Sequence, residues 1–144
     1  MLLRILWWLL QVTWCLPQNV IGAVLYLYHR RQEHLPFRGA LVTKWKHRGC
    51  TSLGCFIFMQ PGTMHDRPLL VHEYGHTLQS AVLGWLYLPL ILLPSVLWFS
   101  LPACRRYRRT HRRSYYSFYT ERWANHWGER AAGDPSVGKG WIQE

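Results

Sequence analysis

A chain of 144 residues holds one domain and leaves no room for a second module. Nine Trp and eight Tyr are a heavy aromatic load for an ordinary soluble domain, and such rings favour a membrane–water interface. The formal charge of +10 comes from Lys and Arg set beside apolar runs rather than in a groove-reading motif, which sets nucleic acid aside and points to membrane lipid, while four scattered cysteines exclude a disulfide framework.

Residues 2–28 are apolar apart from Arg4, Gln11 and the Pro17-Gln18-Asn19 trio, and a helix needs roughly 20 residues to cross a bilayer. A lone Arg4 and the lack of an A-x-A site fit a retained transmembrane anchor over 1–28, kinked at Pro17, better than a cleaved signal peptide. Gln18 and Asn19 read as hydrogen bonders between helices. Two β-prone stretches, 40–45 and 51–59, are joined by 46–49 and predict a β-hairpin over 40–59, whose edge either receives an extended peptide or caps the helices. Cys50 and Cys55 are expected as free thiols.

Asp66 followed by Pro68 predicts a capped helix that runs into an apolar segment, together covering 68–102, with Pro89 and Pro94 marking kinks or a turn. Six arginines crowd 105–113. An aromatic amphipathic helix is expected over 114–131, ended by Gly133, and a polar tail over 134–144 is expected to be mobile. The fold class is therefore a mainly α membrane protein: an N-terminal transmembrane helix, a small β-hairpin, a membrane-inserted helical segment and a C-terminal amphipathic helix.

The chemistry concentrates in His72-Glu73-Tyr74-Gly75-His76. Two histidines four apart on a helix project from one face, so both imidazoles reach a single ion, and the carboxylate after the first His stands beside a metal-activated water without ligating it. Glu73 is thereby the candidate general base. His72, Glu73, His76, Gln79 and Ser80 form a polar patch in an otherwise apolar helix, and ionisable groups near membrane depth are functional by default.

A hydrolytic zinc takes three protein ligands plus water. Downstream candidates for the third are His111, Glu121, His126 and Asp134, and Glu121 is preferred for its helix-compatible surroundings, 120–128. HEYGH followed by Glu121-x-x-Ala124-Asn125-x-x-Gly128 resembles the gluzincin metallopeptidases, whose pattern is HExxH plus a downstream ExxAD, with integral-membrane forms in the CAAX-prenyl endopeptidase and heat-shock-protease group. The resemblance covers 72–76 and 121–128. It implies a Zn2+ enzyme with His72, His76 and Glu121 as ligands and Glu73 as catalytic carboxylate. Asn125 stands where the family usually has the Asp that orients a ligand histidine, and lacks its charge.

An oxyanion donor is expected among Tyr115, Tyr116, Tyr119 and His126, with Tyr116 and Tyr119 singled out. For Glu121 to meet His72 the chain has to turn back near 89–94, which gathers every Lys and Arg except Arg4 on one side. The active site is then expected at the cytoplasmic interface of an integral membrane protein, acting on a peptide or membrane-protein substrate. One rival is a site-2-type protease with Asp134 as third ligand. Another is a non-catalytic membrane-anchored scaffold that docks acidic lipid or a partner protein.

Overall fold

Pro17 starts a helix rather than kinking one. In the computed structural model, which describes residues 2–138, the apolar N-terminal run forms α1 (Leu2–Val12) and α2 (Leu16–Tyr28), bent by 88°. Proline has no N–H to give and its ring clashes with the carbonyl four residues back, so the first turn of α2 accommodates it. The single anchor expected over 1–28 is thus a broken pair, and no single helix among the described residues is long and apolar enough to cross a membrane. Gln18 and Asn19 join this pair to the rest. Gln18 Nε2 donates to Ser80 Oγ at 2.9 Å and to the Gly84 carbonyl at 2.8 Å, and Asn19 Oδ1 accepts the Cys55 N–H at 2.8 Å.

The predicted hairpin over 40–59 is replaced by a four-stranded sheet in the order β1-β2-β4-β3. Arg38 (φ 49°) and Gly39 (φ 84°) make the left-handed turn between β1 (His34–Phe37) and β2 (Ala40–Lys44). Gly54 and Cys55 split the second β-prone stretch into β3 (Thr51–Leu53) and β4 (Phe56–Met59), which pair with each other, so β4 runs parallel to β2. β3 is left at the edge. The inner sheet face supplies Phe37, Val42, Ile57 and Met59 to a core closed by Leu70, Val71 and Ala132 from the helices. All four cysteines are free thiols.

Asp66 caps α3 (Arg67–Leu83), its carboxylate accepting the Leu69 N–H at 3.2 Å with Pro68 in the first turn. The helix ends where Gly84 takes φ 57°, a backbone state that side chains resist. A 3₁₀ turn (Gly84–Leu86) and a π turn (Leu88–Leu92) lead into α4 (Leu93–Ser100), and Leu101 turns extended before α5 (Pro102–Thr110). The chain therefore breaks at Gly84 and at Leu101-Pro102, not between Pro89 and Pro94, because both inner prolines sit in first turns that tolerate them. Leu88–Ser100 and Pro102–Thr110 form a second pair bent by 72°, the first member apolar and the second carrying four arginines.

Within the arginine block Arg108 is buried: its guanidinium donates to the Trp98 carbonyl and lies over the Trp98 and Tyr115 rings at 5.2 and 5.6 Å. The last helix, α6 (Tyr119–Ala132), ends at Gly133 and packs along α3. Residues 134–138 lie against α6. Ser136 donates from N and Oγ to Glu129 Oε1 at 3.0 and 2.8 Å, and Asn125 Nδ2 donates to the Val137 carbonyl at 2.9 Å. Residues 139–144 of the predicted tail lie outside the described residues.

Candidate metal centre

The two histidines of α3 face the first turn of α6, where Glu121 is fully buried. His72 Nε2 lies 3.1 Å and His76 Nε2 3.3 Å from the same oxygen, Glu121 Oε2. The three donor atoms all lie within 4.8 Å of one another. Ligand atoms about 2.1 Å from a tetrahedral zinc stand about 3.4 Å apart, so the spacing and the N, N, O chemistry of this set fit that ion.

The hydrogen bonds behind the imidazoles decide which ring nitrogen carries the proton. Asn125 Oδ1 is 2.7 Å from His72 Nδ1, and Gln79 Oε1 is 2.7 Å from His76 Nδ1. Neither amide can be turned around, because Asn125 Nδ2 is committed to the Val137 carbonyl and Gln79 Nε2 to the Thr120 carbonyl, both at 2.9 Å. An amide oxygen only accepts, so each Nδ1 donates. Both Nε2 atoms then turn their lone pairs toward Glu121 when the rings are neutral, which is the tautomer a metal requires.

Electrostatics inside this pocket favour charge. Burial alone would raise the Glu121 carboxyl, but the two imidazoles, His76 first, hold it well below the usual carboxylate range. Burial likewise pulls His76 down, and the Glu121 carboxylate overrides it, lifting the ring to about 9. The second oxygen, Glu121 Oε1, accepts from Thr120 Oγ1 at 3.0 Å, and Tyr115 lines the same cavity as this carboxylate. Burial first, and the Glu73 and Glu121 carboxylates second, push the Tyr115 and Tyr116 phenols up, so both remain protonated donors.

Glu73 is buried next to the ligands, its Oε2 accepting from Ser52 Oγ of β3 at 2.8 Å. A cavity of about 400 Å³ is floored by His72, Glu73, His76 and Glu121 and walled by Tyr87, Phe99, Tyr115 and Tyr116. Tyr116 packs edge-on against the His72 ring, centroids 5.1 Å apart. Tyr119 does not belong to this cavity: it is half exposed and its hydroxyl donates to the Leu90 carbonyl at 2.7 Å, which removes it as an oxyanion donor. His126 lines a different depression, with Leu78 and Arg130. Asp134 is tied to Arg67 at 2.6 Å, and His111 bonds the Tyr107 carbonyl, so neither approaches the ligands.

In the sequence Gln79 stands out only as part of a polar patch, although its place three residues after His76 puts it on the ligand face. Ser52 and Thr120 carried no signal, since a hydroxyl in a strand or at a helix start is ordinary. No protein-family model, curated protein or solved structure matches the chain.

Proposed function

We propose that this protein is a zinc-dependent endopeptidase of gluzincin type that acts on a short or membrane-associated peptide. The observation that carries the reading is the convergence of His72 Nε2, His76 Nε2 and Glu121 Oε2, with both Nδ1 protons fixed outward by Asn125 and Gln79. Zinc held by these three residues supplies Lewis acidity that polarises a carbonyl and acidifies water. With Ser52 bonded to Oε2, Glu73 keeps Oε1, which would take a proton from the attacking water and return it to the departing amine. Tyr116, edge-on to the His72 ring and lining the cavity, is the phenol best placed to donate to the carbonyl oxygen as it gains charge.

A purely structural zinc closes its fourth position with protein. Among the described residues only three donors converge here, and a cavity borders them, which favours the hydrolase over the scaffold. The test uses quenched fluorescent peptides and the zinc-loaded protein in micelles. Hydrolysis should fall by at least about 100-fold in Glu73→Gln while zinc content holds. Equal hydrolysis by that variant counts against the enzyme and for the scaffold.

Membrane attachment belongs to the same proposal. The first bent pair, the turn at 84–86 and α4 expose Val24, Trp85 and Leu93, each more than half exposed, and α5, bent against α4, carries four arginines, which suits an anionic lipid surface. On this reading the centre sits at the cytoplasmic interface, and impermeant labelling of cysteines placed at Arg48 and Arg109 should mark the same side. Labelling on opposite sides overturns the layout.

A further inference from the structure

Both carboxylates of the centre are braced from one stretch of chain, the apolar segment 84–100, which contributes nothing to either metal-binding motif. Outward, this segment shows Trp85, Leu90 and Leu93, each about half exposed. Inward it carries two buried hydroxyls, Tyr87 and Ser95. The Tyr87 hydroxyl donates to the Ser52 carbonyl at 2.8 Å, and Ser52 Oγ donates in turn to Glu73 Oε2 at 2.8 Å and stands 2.9 Å from the Glu73 carbonyl. Ser95 Oγ donates to Thr120 Oγ1 at 2.8 Å, and Thr120 Oγ1 donates to Glu121 Oε1 at 3.0 Å.

We infer that Ser95 and Tyr87 are positioning residues of the centre, Ser95 fixing the rotation of Glu121 through Thr120 and Tyr87 fixing Glu73 through Ser52. A hydroxyl has one proton. While Thr120 accepts from Ser95, its own proton is committed to Glu121 Oε1, and that tie leaves Oε2 alone to face the two imidazoles. Without the Ser95 hydroxyl, Thr120 holds an unsatisfied lone pair in a buried site and is free to turn its proton to a backbone carbonyl, which releases the carboxylate to swing. The second brace works on the strand. Loss of the Tyr87 hydroxyl strands the Ser52 carbonyl and loosens the residue that holds the base. The segment that is apolar and exposed on one side thereby sets the aim of both carboxylates on the other.

This inference rests on the metal-centre reading, and the experiment separates the two. Cobalt(II) is titrated into the metal-free full chain, and affinity and the visible d–d absorption are read for wild type, Ser95→Ala, Ser95→Thr and Ser95→Cys. Ser95→Ala should bind cobalt about tenfold more weakly with an altered band. Ser95→Thr, which keeps the hydroxyl, should restore wild-type affinity and spectrum, and Ser95→Cys, a weak donor of similar size, should fall between, which keeps the series decisive even where the alanine variant fails to fold. Tyr87→Phe should keep the cobalt affinity and lower kcat about tenfold at unchanged KM. Wild-type affinity and spectrum in Ser95→Ala and Ser95→Cys overturn the inference and leave the centre standing. A wild-type chain that takes up no cobalt overturns the centre itself.

Discussion

Gly75 of α3 rests directly on the backbone of Ala124 in α6: a Cβ at position 75 would stand 1.9 Å from the Ala124 carbonyl oxygen. The contact is mirrored one turn along, where a Cβ at Gly128 would stand 2.1 Å from the Val71 carbonyl oxygen. Two helices that approach this closely bring short side chains into reach of each other, which is how a glutamate in the first turn of α6 meets imidazoles flanking Gly75.

Gly75→Ala should therefore act on the centre without touching a ligand. The added methyl meets backbone rather than a movable side chain, so the helices have to separate. A loss of more than about 3 kcal/mol in stability is expected, together with loss of bound metal. Chemical denaturation and metal content of the purified variant check this, and wild-type values for both contradict the packing account.

Asn125 performs two tasks that an aspartate could not combine. Its oxygen orients His72, and its NH2 holds the Val137 carbonyl. Asn125→Ala should weaken metal affinity by about 10–100-fold. Asn125→Asp should tighten the metal by adding charge behind His72, yet release Val137 and Gly138, because a carboxylate repels the Val137 carbonyl while Ser136 stays on Glu129. Chelator competition and hydrogen exchange read the two effects separately. Exchange at 137–138 no faster in the Asp variant than in wild type contradicts the assignment.

Metal uptake should depend on pH with a definite sign. In the metal-free protein His76 holds a proton up to about 9, burial opposing it and Glu121 outweighing burial. Nδ1 already donates to Gln79, so the extra proton sits on Nε2, the metal-facing atom. Below that pH the metal has to displace it. Apparent affinity should rise by about tenfold per pH unit from about 6.5 to 9 and then level off. Competition titrations across this range check the slope, and calorimetry in buffers of different ionisation enthalpy counts the proton. A flat profile contradicts the pairing.

The centre was far more legible in the sequence than the scaffold around it. His72 and His76 follow from helical spacing, because residues on one helix face stay together whatever else packs nearby, whereas Glu121 is one of four downstream candidates and the place of Asn125 is implied by the resemblance; the structure brings all four together. The sheet was misread because 51–59 is uniformly β-prone. Only the Gly54-Cys55 turn cuts it, and the parallel pairing of β2 with β4 is a long-range choice that local propensity does not encode. Tyr119 was misplaced by one helical step: it stands two residues before Glu121 and so points away from it, to Leu90. Ser136 and Val137 look like tail in composition, and only the positions of Glu129 and Asn125 reveal that they dock.

The most direct measurement of the central claim is the metal content of the purified chain by elemental analysis, compared with Glu121→Ala and Asp134→Ala. The account predicts one zinc per chain in wild type and in Asp134→Ala, and little or none in Glu121→Ala. A wild-type protein without stoichiometric metal, or a Glu121→Ala variant that keeps it, contradicts the claim that His72, His76 and Glu121 share one ion.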